Sequence, residues 1–120
     1  EEAQKSIESH RQKIDADPKS PDAPALQLAM GNLYLAKLGD FEKAAECFEW
    51  YLQQYADTNP ADLRAAYTQL ATCYEKLNEK HASEPDNKYP EKINRLYMDM
   101  MKRYPEDSQE YLFAKQKLNL

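Results

Sequence analysis

The chain has 120 residues, 31% charged and 42% hydrophobic, with a mean hydropathy of −0.95: one domain's worth of chain with room for a modest core. A net charge of −5, a pI near 5.1 and the lack of any Lys/Arg stripe exclude the electrostatic footprint of a nucleic-acid or anionic-membrane binder, and no run approaches the roughly 18 apolar residues of a membrane span. With only two glycines the chain is too poor in tight-turn residues for a hairpin-rich β protein, so an all-α fold is expected.

The first predicted helix covers 2–16, with Ala3, Ile7 and Ile14 on one face, and stops at Asp17-Pro18. A second covers 22–37, through Leu26, Leu28, Met30, Gly31, Leu33 and Tyr34. Gly39 then offers a positive φ to end it, and Asp40 is placed to cap the next helix. That third helix, 41–56, carries Ala44, Phe48, Leu52 and Tyr55 at helical spacing and precedes Pro60. A fourth covers 60–77. The polar stretch from Asn78 to Tyr89, with Pro85 and Asp86-Asn87, reads as a long loop, expected to be a mobile, tolerated insertion unless it binds a partner. Helices over 90–104 and 107–119 complete the map, the last capped by Asp107 or Ser108 and carrying Tyr111, Leu112, Ala114 and Leu118.

These elements repeat. At an offset of 49, Ala44 falls on Ile93, Phe48 on Tyr97, Leu52 on Met101 and Tyr55 on Tyr104. At an offset of 40, Met30 falls on Leu70, Gly31 on Ala71, Leu33 on Cys73 and Tyr34 on Tyr74. A residue without bulk at Gly31 or Ala71 lets a partner helix approach closely, and the tyrosine three positions on fills the space beside it. The chain begins with Glu1 rather than Met, so a processed protein or a fragment is expected.

Chemistry is sparse. Cys47 and Cys73 show no metal-ligand spacing and read as two small buried residues or a disulfide between neighbouring helices. His10 and His81 lack partners at ligand spacing and are expected to be solvated. The adjacent carboxylates Glu1-Glu2 and Glu106-Asp107 suit helix starts rather than an acid–base pair. No phosphate-cradling glycine loop or activated nucleophile is visible, so no catalytic residue, metal or cofactor is assigned and an enzyme is not expected. Trp50 stands apart: its counterpart at the offset of 49 is Asp99, which marks an exposed position. Trp50 is therefore the candidate interface anchor, with burial against a neighbouring loop as the alternative.

Met30, Gly31, Tyr34, Ala44, Phe48 and Pro60, followed by Tyr67, Leu70, Ala71, Tyr74, Tyr97 and Pro105, resemble the tetratricopeptide repeat. Gln27 at the first bulky position and Tyr51 and Met100 at the second small position depart from that pattern. The resemblance implies a right-handed α–α superhelix of about six antiparallel helices in one domain. Residues 1–18 would be the second helix of a partial repeat, 22–60 a repeat, 61–105 a repeat with the inserted loop 78–89, and 106–120 a terminal helix. It also implies a module that holds a protein or peptide in its concave groove, through Leu28, Asn32, Leu35, Thr68, Thr72, Glu75, Leu112 and Gln116. Asn32 matches one position of the carboxylate clamp of chaperone-binding members, but Leu28 and the threonines replace its other groups, so a segment with apolar side chains fits better. The alternative is a spacer or self-associating module, a homo-oligomer joined through the solenoid ends. Gly39 to Phe48 and Arg103-Tyr-Pro-Glu-Asp-Ser108 are also similar to repeats of bacterial envelope proteins, of the outer-membrane assembly lipoprotein and Tol–Pal-associated kinds. That likeness implies a periplasmic or envelope location, with the cytoplasm as the alternative.

Overall fold

Six helices follow one another in the computed structural model, which describes residues 2–120 and, among them, contains no strand. They are α1 (Glu2–Ala16), α2 (Ala23–Leu33, continued by a π-helical turn over Tyr34–Leu38), α3 (Phe41–Gln54), α4 (Pro60–Lys80), α5 (Tyr89–Arg103) and α6 (Gln109–Lys117). The protein is all-α, as composition and periodicity predict. Glu1, half of the Glu1-Glu2 pair, lies outside the described residues. The chain forms two compact units, one through Cys73 and one from Tyr74 to Leu120, and the division falls inside α4.

In the first unit α2 packs against both α1 and α3. Close approach is set at Gly31, where an added Cβ would sit 2.6 Å from Phe48 Cε1 and 2.7 Å from Cζ. Glycine is required there because the Phe48 ring, fully buried, occupies the space of a side chain. Ile7, Ala23, Met30, Tyr34, Ala44 and Tyr51 are among the other residues of this core, and from α4 come Leu63, Ala66, Tyr67, Leu70 and Cys73. Gln27, the departure noted in the repeat, is also buried, and its Nε2 donates to the Cys47 carbonyl at 3.0 Å. A buried amide is tolerated because it is hydrogen-bonded. His10, expected in solvent, is half-buried, with Nδ1 sealed and without a hydrogen-bond partner.

The turn from α2 to α3 shows how local chemistry reverses the chain. Gly39 has φ +62° and its N–H donates to the Tyr34 carbonyl, which also accepts from the Asp40 N–H at 2.9 Å. Asp40 Oδ1 then accepts from the Lys43 N–H at 3.1 Å, capping α3. An added Cβ at Gly39 meets nothing within 4 Å, so its requirement for glycine is purely backbone strain. Gly39→Ala is expected to lower stability by about 1–2 kcal/mol, the cost of a left-handed L-residue. Gly39→Asn should lose less, and urea titration distinguishes the two. Equal losses would mean that strain is not the cause.

In the second unit α5 packs against α6, with Leu96, Tyr97, Met100 and Ala114 buried. The Tyr97 and Phe113 rings meet edge-on at 6.0 Å, and Tyr74 and Tyr89 lie 6.1 Å apart. Of the two residues expected to cap α6, Ser108 does so, its Oγ accepting from the Tyr111 N–H at 3.1 Å. Asn119, at φ 60°, ends α6: its N–H donates to the Gln116 carbonyl and that of Leu120 to Lys115, a Schellman closure. The connection expected over 78–89 is shorter, because α4 runs on to Lys80. It is tied by side chains. Asn87 Nδ2 donates to Asn78 Oδ1 at 2.7 Å, and Asn87 Oδ1 accepts from the Tyr89 N–H. His81, expected in solvent, pairs with Glu84 at 2.6 Å and stacks on the Tyr89 ring.

Candidate functional site

The first unit carries a groove of ≈ 1470 Å³ between α1 and α3, floored by α2. Helical spacing selects its lining. Pro24, Gln27, Met30 and Tyr34 recur along one face of α2, and Lys43, Cys47, Trp50 and Gln54 along one face of α3. Arg11, Ile14 and Asp15 come from the last part of α1, and Pro18 to Pro21 form the linking turn. One end is closed where Tyr55 Oη donates to the Pro18 carbonyl at 3.0 Å. At the other end Arg11 Nη2 donates to Tyr34 Oη at 3.1 Å, and Lys43 Nζ stands 5.9 Å from the centroid of the same ring.

Ile14 of α1, Met30 and Tyr34 of α2 and Cys47 of α3 are all buried in the lining of the groove. Trp50 is different: it is 48% exposed, a large aromatic surface on the rim. The exposure read from its pairing with Asp99 agrees with this. The groove was otherwise not legible in the sequence. Gln27 and the prolines at 18, 21 and 24 were the available signals, but nothing local says that α1 and α3 stand apart over α2.

The groove residues transferred from the family resemblance are placed elsewhere. None of them lines this groove. Leu28 is buried, Leu35 half-buried and Asn32 exposed; their spacing places them together on a different face of α2. Thr68 is exposed and Thr72 half-buried, and each hydroxyl donates to the carbonyl one turn back, at Arg64 and Thr68. Those five belong to the first unit, whereas Glu75, Leu112 and Gln116, all exposed, belong to the second.

Cys47 and Cys73 are buried and free, so of the two sequence alternatives the disulfide is not formed. Burial pushes the Cys47 thiol up to about 11, with Arg11 pulling it down and Glu46 raising it. Burial pushes Cys73 up to about 12, reinforced by Cys47 and Glu49. Both are held as neutral thiols, the inert form. Burial also raises Tyr51 and Tyr55. Below pH about 8.5 the thiols are protonated whether the chain is folded or not. Above it the unfolded chain ionises first, so their contribution is full below that pH and is lost as pH rises through about 11. Urea midpoints at pH 8 to 11 should fall steadily, and less steeply in Cys47→Ala/Cys73→Ala; parallel curves for the two proteins would refute the assignment.

Among the described residues no group of three or more His, Cys, Asp or Glu side chains is placed to hold a metal, and no helix is long and apolar enough to cross a membrane. Compared with family models, curated proteins and solved structures, the chain matches none.

Proposed function

We propose that this chain is a protein-binding helical-repeat module, stacked in the tetratricopeptide manner, that holds a segment of another protein against Trp50. The exposed Trp50 on the rim of the α1–α3 groove is the observation that carries the reading. Tryptophan is enriched among the few residues that anchor protein interfaces. The groove also exceeds the roughly 300–1,000 Å³ of small-molecule pockets. Repeat stacking is supported by matched burial. Phe48 and Tyr97, Met30 and Leu70, and Tyr34 and Tyr74 are all buried at the offsets of the sequence repeat. The likeness of Tyr104-Pro105-Glu106-Asp107-Ser108 to envelope repeats extends the proposal to a periplasmic or envelope-associated protein.

The test is capture of partner proteins by the immobilised chain, compared with capture by Trp50→Ala. Proteins retained equally by both would count against the groove, and none retained by either against the function. A second reading is self-association, favoured by Met98, Leu112, Phe113 and Leu120, which are exposed in the second unit. Sedimentation at several concentrations separates the two, since a concentration-independent monomer speaks against assembly.

A further inference from the structure

We propose that the α1–α3 groove takes a short acidic segment of a partner protein, with one carboxylate between Arg11 and Lys43 and one bulky apolar side chain against Trp50. The inference rests on the protein-binding reading of this groove and names the chemistry of its partner.

The chain carries a net −5, yet the groove is lined by three cations, Arg11, Lys19 and Lys43, against two carboxylates, Asp15 and Glu46. Two of those cations reach the same tyrosine. Arg11 reaches the Tyr34 hydroxyl from α1, and Lys43 stands over the Tyr34 ring from α3. Asp15 is one helical turn from Arg11 and Glu46 one turn from Lys43. Even so, neither cation makes an ion pair among the described residues. The guanidinium spends one donor on Tyr34 and keeps others for a ligand, and a carboxylate is the group its planar fork fits best. The acidic remainder of the chain does little to oppose this, because exposed charges beyond a Debye length of about 8 Å are screened.

From Lys43 to Trp50 the α3 wall advances seven residues, or about 10 Å at the helical rise. An extended segment spans that in about three residues, and a helical one in about two turns. The ligand therefore carries Asp or Glu about three or about seven positions from a Phe, Leu or Met. Its apolar residue finds a face of Trp50 and the prolines of the α1–α2 turn.

A library of random, tryptophan-free peptides of about twelve residues, selected against the intact chain, tests this. Trp50 is the only tryptophan, so its emission reports occupancy of the groove directly. The expected winners share the acidic–apolar spacing and shift Trp50 emission. Replacing their carboxylate by its amide should weaken binding at least about tenfold, the loss of one charge-assisted contact. Lys43→Gln and Arg11→Gln should each weaken the acidic peptide and leave its amide version nearly unaffected. The peptide-side change keeps the test valid even if Arg11→Gln disturbs folding. Winners that shift Trp50 but lack acidic residues would overturn the inference and leave the protein-binding reading standing. Winners that leave Trp50 emission unchanged would place the site elsewhere and overturn it too. Failure to select any peptide would overturn both. A concentration-dependent dimer displaced by the peptide would assign the groove to a second copy instead.

Discussion

Phe48→Ala is expected to destabilise the first unit by about 3–5 kcal/mol, the cost of emptying a fully buried aromatic site. Urea unfolding followed by Trp50 emission reads that unit directly. The partner site gives the complementary result. Gly31→Ala gains about 1 kcal/mol of helix propensity but drives a methyl to 2.6 Å from the Phe48 ring. The ring is enclosed and cannot swing away, so overpacking of about 1–3 kcal/mol should win and Gly31→Ala should be destabilising. Combining Gly31→Ala with Phe48→Leu relieves the clash and should recover part of the loss, a coupling visible in a double-mutant cycle. If the two changes simply add, ring and glycine are not in the contact described.

Trp50→Ala is expected to do the reverse, leaving the fold intact and removing function. The side chain is half in solvent, so the stability loss should stay near 1 kcal/mol by circular dichroism. A captured partner should bind at least about 30-fold more weakly, the effect of about 2 kcal/mol at an interface anchor. Trp50→Phe should retain part of the affinity through its remaining apolar face. An affinity unchanged in Trp50→Ala would remove the observation on which the proposed function stands.

These two residues lie two positions apart on α3 and differ in everything but aromaticity. The repeat separated them: Phe48 aligns with Tyr97 and was expected in the core, while Trp50 aligns with Asp99 and was expected outside. Gln27 shows the opposite case. At a position where a bulky apolar residue is expected, its burial becomes intelligible only when the Cys47 carbonyl is found 3.0 Å from its amide. His81 similarly looks like a loop histidine until Glu84 and Tyr89 are seen around it.

Helix positions, the turn at Gly39 and Asp40 and the small residue at Gly31 were determined by the sequence itself, and the cap of α6 was narrowed by it to Asp107 or Ser108. Each depends on periodicity or on a few neighbouring residues, and that information is local. Tertiary structure alone decided that α1 and α3 flank α2 with a groove between them, that Arg11 and Lys43 both reach Tyr34, and that the two cysteines are buried without bonding. Those facts depend on which helix faces pack together, and that choice is made by side chains as far apart in the chain as Arg11 and Lys43.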